Sequence, residues 1–345
     1  MKKMMHNTKF EAYGWKGMIP PQYIMAKRRF KGVILDPPDF NPGSWIGAGS
    51  TIIDYDSREF WLTVRPRKRP PLRGYAVEIH RSLDGENYRK VNTISVEDLS
   101  SMSGQNVVSI EAQQLIRDPR SGLCHLYVSV DVRGTGEVEG EWDTFLLTSD
   151  SPSGPWRFQG LALRRGKEYD SREARDATIG IVDGKCFALY KATHGSRTNV
   201  ALATSDDGLK WKKHGLLKID GEAQPQYFQL YGSIFAGTLG PIFMGLARRH
   251  YVSGCGLAKD FESYIIDFRK LNLETIYREE WKPLSRYERE DYPTHGYMNI
   301  TYDPLSSRVL IYLEAVDPEY TKDLGWSTQV DRWIMYEVKL PDSTV

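Results

Sequence analysis

The chain has few cysteines, no excess charge of either sign and no long apolar run. Cys124, Cys186 and Cys255 stand far apart, odd in number and without a CxxC pair. That spacing argues against a disulfide framework or a cysteine zinc site and suits buried free thiols in a reducing compartment. Lys plus Arg number 46 against 45 Asp plus Glu, a net charge of +1, so no field of one sign draws the chain to nucleic acid or an anionic membrane. No stretch approaches the ~20 apolar residues that span a bilayer. The opening MKKMMHNTKFEAYGWKG puts no apolar segment behind its lysine pair, unlike a secretory signal. The expectation is a cytoplasmic protein whose partner is small and carries little charge, with neither nucleic acid nor membrane involved.

Long amphipathic helical patterns are also missing. Short alternating segments broken by Gly, Asp, Asn and Ser take their place, which reads as an all-β fold. Aromatics are abundant, with 20 Tyr, 12 Phe and 9 Trp, many of them in β-branched runs. Flat rings also suit the apolar C–H face of a sugar, although most aromatics serve packing.

Two repeats run through these segments. IHRSLDGENYRKV, LLTSDSPSGPWRFQG and LATSDDGLKWKKHG each carry an apolar strand ending in Ser (Ser82, Ser149, Ser205), a polar turn and an aromatic opening the next strand. Asp and Gly accept tight turns, and the Ser hydroxyl can bond the turn backbone. Five hairpins turn near residues 57, 121, 183, 239 and 306. A period of about 60 residues with several strands per unit indicates propeller blades rather than a solenoid. The spacing predicts a single five-bladed β-propeller over residues 1–345, with about 40 residues of lead-in, and disfavours a pair of β-sandwiches.

In a propeller the first strand of each blade lines the central channel, and residues at its start meet at one mouth. Counting back from each turn gives Trp45 to Gly49, then Glu111, Asp176, Gln229 and His295. Two carboxyl groups in register suit glycosidic cleavage, which protonates the leaving oxygen with one and activates water or attacks carbon with the other. Apolar Ile110 and Ala112 flank Glu111, predicting a raised pKa and the role of acid. Asp176 is then the base or water-orienting group, with Asp39 or Glu222 as a third carboxylate. Strand alternation predicts that Arg175 points away from Asp176. Trp45, Tyr227, Gln229 and His295 are candidates to hold a sugar, with Lys191 and His194 reaching the mouth. VRPRKRP reads first as a solvated loop, and as a phosphate or acidic-sugar holder through Arg65 and Arg67 in a second reading.

ARDATIGIVDGKCFALYKA, SIEAQQLIRDPRSGLCHLYVS and TSDDGLKW resemble the Asp-bearing strand, Glu-bearing strand and blade turn of the five-bladed propeller glycosidases, glycoside hydrolase families 43, 32, 62 and 130. The resemblance covers roughly residues 40–340 and implies a glycosidase acting on a small oligosaccharide or glycoside. No cofactor is required. A calcium ion steadying the channel would take His295 as its contact. The chain departs from those families where blade one offers Trp45 and glycines instead of an Asp, and where Glu111 precedes Asp176. The alternatives are a phosphorolytic enzyme, with phosphate on Arg65 and Arg67, and a non-catalytic glycan- or protein-binding propeller.

Overall fold

A computed structural model describes residues 19–132, 140–252 and 254–341. The N-terminal segment read above for a targeting signal lies outside them. Strands dominate the described residues, which hold two short helices, Pro21–Lys27 and Val96–Ser103. No helix among the described residues is long and apolar enough to cross a membrane.

The predicted hairpins all form, and each is extended to four antiparallel strands. Group one is Trp45–Asp54, Glu59–Lys68, Ala76–Ser82 and Arg89–Ser95. Group two is Ser109–Arg117, Cys124–Asp131, Trp142–Ser149 and Arg157–Leu163. Group three is Glu173–Val182, Lys185–His194, Arg197–Ser205 and Lys212–Leu216. Group four is Gln229–Gly237, Gly240–Val252, Cys255–Asp267 and Asn272–Glu280. Group five is Thr294–Asp303, Arg308–Val316 and Asp331–Lys339, completed by Arg29–Leu35 from the other end of the chain.

The Ser-Asp-Gly turns join third strands to fourth and work as their composition predicts. Ser82 Oγ accepts from the amides of Asp84 and Gly85, and Ser205 Oγ from those of Asp207 and Gly208. Asp84 and Asp207 each accept two further amides, so every turn donor finds an oxygen. The first strands pack side by side in chain order, and that of group five packs against that of group one. Apolar clusters fill the spaces around them, one of them uniting Leu62, Leu310, Tyr312 and Trp333. The three cysteines are buried and free.

Candidate functional site

The five counted positions lie at the starts of the five first strands. Four of these strands break alternation near that start, with register shifts between Gly47 and Ser50, Ile110 and Gln113, Arg175 and Thr178, and Thr294 and Met298. Such bulges re-aim side chains beside functional sites. Asp176 sits in one with φ +52°, a left-handed conformation that aspartate tolerates better than most residues. The bulge corrects one expectation: Arg175 does not face away from Asp176. Both line one pocket with Trp45, Glu111, Tyr227 and His295, enclosing about 560 Å³ of space continuous with solvent.

Tyr297 ties the two carboxylates together. Its hydroxyl lies 3.4 Å from Glu111 Oε1 and 3.2 Å from Asp176 Oδ2. Asp176 Oδ2 accepts a second hydroxyl, from Tyr231, at 3.2 Å. Burial pushes both phenols well above their ordinary pKa, so they stay protonated donors. Gln229 stands behind them, accepting from Tyr231 and from Arg248 at 2.9 Å.

Glu111 overturns its predicted protonation. Its apolar chain neighbours do not decide its environment, because Arg65 and Arg67 each come within 3.5 Å and Arg175 within 3.9 Å. Burial alone would raise its pKa, but those guanidiniums, with Arg73, hold it far below the carboxylate range. Glu111 is an anion in this site.

Group one lacks a first-strand Asp because a neighbouring group has filled the space. A Cβ on Gly47 would come within 2.0 Å of Glu314 Oε2, and the amide of Ala48 donates to that oxygen at 2.7 Å. The glycines of PGSWIGAGS therefore admit a buried carboxylate rather than a substrate. Glu314, His295 and Asp331 bring donor atoms within 4.8 Å of one another, close enough to hold a metal ion. Each already has a protein partner. Arg65 lies 3.4 Å from Glu314, and Gln329 Nε2 lies 2.8 Å from His295 Nδ1 and 2.9 Å from Asp331 Oδ2. Calcium, which takes six to eight oxygen ligands, finds a poor match in an imidazole and two engaged carboxylates, so no chemical step is derived through a metal.

Burial and Arg248 push the His295 pKa well down, leaving a neutral imidazole. Burial and the nearby Glu314 push Asp331 well up. The folded protein thus binds a proton at Asp331 that the unfolded chain has lost, and stability falls as pH rises above the ordinary carboxylate range. Asp331→Asn should gain on the parent protein as pH rises above about 4. Thermal melts across that range check it, and a constant difference would refute the assignment.

Other predicted residues lie elsewhere. Asp39 pairs with Lys68 at 2.9 Å on the surface, where its third-carboxylate role has no access to the pocket. Glu222 is exposed on a two-residue strand, Glu222–Ala223, and is likewise no partner of Glu111. His194 is exposed, 2.8 Å from Ser171 Oγ, and misses the pocket lining. Lys191 does line it, held at 2.7 Å by Glu173. VRPRKRP is not a solvated loop: Arg65 and Arg67 lie in a strand and are buried, because alternation sends both inward onto Glu111. Arg65 has no exposed surface, so it does not receive phosphate. Sequence reading missed Tyr231, Tyr297, Arg73 and Arg248. The two tyrosines stand two residues after the counted positions of their strands, so that spacing was the available signal; the arginines carry none.

No protein-family model matches the chain, and no curated protein does. Solved structures do. A family 117 glycoside hydrolase from the marine bacterium Zobellia galactanivorans superposes with a TM-score of 0.60 at 16% identity, over 90% of this chain and 89% of its own. A thermostable family 43 glycoside hydrolase gives 0.58 at 13%, over 86% and 91%. An N-acetylgalactosamine deacetylase from F. plautii, in complex with blood group B trisaccharide, gives 0.60 at 10%, over 90% and 94%. The chain has the fold of these glycoside hydrolases. The deacetylase has it too, so the chemistry must be argued from the site.

Proposed function

We propose that this chain is a single five-bladed β-propeller glycosidase that acts on a small oligosaccharide or glycoside at the channel mouth. One observation carries the reading: carboxylates from two strand groups, Glu111 and Asp176, share the Tyr297 hydroxyl at the wall of a pocket lined by aromatic rings. The likeness in fold to glycoside hydrolases supports it.

The roles follow from charge. Ringed by arginines, Glu111 does not carry a proton to a leaving group; it acts as the anion that attacks the anomeric carbon or takes the proton of water. Asp176, the other carboxyl of the pair, then delivers the proton to the departing oxygen as the glycosidic C–O bond breaks, and Arg175, 3.3 Å away, stabilises the carboxylate this leaves. Two carboxylates sharing one hydroxyl suit the ~5–5.5 Å spacing of a retaining mechanism better than the ~6.5–9.5 Å of an inverting one. The neutral tyrosines hold both groups in place, and half-buried Tyr227 in the pocket wall offers a ring to the sugar, whereas Trp45 is buried beneath Arg67.

The test is turnover by the intact protein on a panel of aryl glycosides and short oligosaccharides, with the anomer of the first product read by NMR. The expected result is turnover with retained configuration. A folded protein that cleaves nothing on a panel including both neutral and acidic sugars would sink the hydrolytic reading.

A further inference from the structure

The pocket is more cationic than cleavage of a neutral sugar requires. Arg67, Arg73, Arg175, Lys191 and Arg248 line it against two carboxylates, Glu111 and Asp176. Arg73 is answered by Asp131 at 2.9 Å and Lys191 by Glu173 at 2.7 Å. Arg175 pairs with Glu173 at 3.2 Å and with Asp176 at 3.3 Å, which leaves Arg67 and Arg248 under-answered. Arg248 has no carboxylate within ion-pair distance among the described residues, and its guanidinium donates to His295 O, Gln229 Oε1 and Tyr231 Oη. Among the described residues Arg67 pairs with Glu111 alone, at 3.5 Å, a carboxylate it shares with Arg65 and Arg175. The Nε atoms of Arg67 and Arg175 are buried with no hydrogen-bond partner. The Arg67 side chain is more than nine-tenths buried. Burial pushes Arg67 down to about 10, with the Arg65 and Arg73 charges adding to it. Buried donors with surplus positive charge attract an oxyanion, and a guanidinium fork matches one geometrically.

We propose that the sugar bound here carries an anionic substituent, a carboxylate or sulfate, received by Arg67 and Arg248. The inference rests on the carbohydrate reading of the site and narrows it to acidic glycans. Arg67 covers the buried Trp45 ring at 4.3 Å and lies 5.7 Å from the half-buried Trp326 ring, so its charge stands beside a surface on which a sugar ring can lie.

Calorimetry with matched pairs tests this: a hexuronate and the parent hexose, then a sulfated sugar and its unsulfated form, titrated into the wild-type protein. The acidic member should bind about tenfold tighter or more, the worth of one charge-assisted hydrogen bond, and lose that advantage in high salt. Arg67→Gln should remove most of the preference. Should that variant fail to fold, the matched pairs on the wild type decide alone. Equal affinity within each pair would overturn the proposal. So would turnover of a neutral glycoside that requires inorganic phosphate and yields a glycosyl phosphate, because the anion would then be the acceptor. Turnover of neutral glycosides by water, as fast as of acidic ones, would reject this inference and leave the glycosidase reading intact. Tight binding of acidic sugars without cleavage would do the reverse.

Discussion

Glu111→Gln should lower turnover by about 10³-fold or more while the protein remains folded. The amide keeps the size of the carboxylate and one acceptor oxygen but removes the negative charge. That charge is what the surrounding guanidiniums hold in place, and the Tyr297 hydroxyl points at it. A neutral group there neither attacks the anomeric carbon nor takes a proton from water. Asp176→Asn should fall by a similar factor, and the double variant by little more than either single one, because the two act as a unit. The pair also separates the roles. Loss of the proton donor is masked by a good leaving group, so Asp176→Asn should retain activity on activated aryl glycosides, and Glu111→Gln should not. Kinetics on the two substrate types, with melts to show folding, check this. Glu111→Gln within about tenfold of the parent on either substrate type, or Asp176→Asn within about tenfold on unactivated glycosides, would remove that carboxylate from the mechanism.

Arg65→Met should be the most destabilising single change at the site. Arg65 is buried without exposed surface, 3.5 Å from Glu111 and 3.4 Å from Glu314, both also buried. Methionine fills much of the volume but leaves two carboxylates facing one another in a desolvated wall. Breaking a buried ion pair in this way costs about 3–5 kcal/mol. Chemical unfolding measures it, and a cost under about 1 kcal/mol would show that Arg65 is not what neutralises the pair. The loss also has a pH signature. Without the guanidinium the Glu314 carboxyl, already raised by burial, is raised further in the folded state, so the variant binds protons on folding and recovers stability as pH falls. Arg65→Lys keeps the charge but not the fork, and should lie between parent and methionine variant.

The strand pattern was legible in the sequence because its causes are local. Each hairpin turn is written in Asp, Gly, Asn and Ser, and each strand in the alternation beside it. The Ser-Asp-Gly turns satisfy themselves with their own side chains, as at Ser82 and Asp84. Counting along that repeat also reached the strand starts where Trp45, Glu111, Asp176 and His295 converge.

Charge was not legible there. Glu111 looks apolar between Ile110 and Ala112, yet its pKa is governed by Arg65 and Arg67, more than forty residues away in the chain. VRPRKRP looks solvated, yet its alternate arginines face inward. Alternation misplaced Arg175 because a bulge at Asp176 turns both residues to one side. The glycines near Trp45 became intelligible only when Glu314 was found in the space they leave. Alone, the sequence determined the strands, their turns and the repeat, since turn chemistry and alternation act over a few residues. Which groups are ionised, which cations go unanswered and which carboxylates meet was decided by tertiary structure alone, because Coulomb energy and desolvation depend on distance in space.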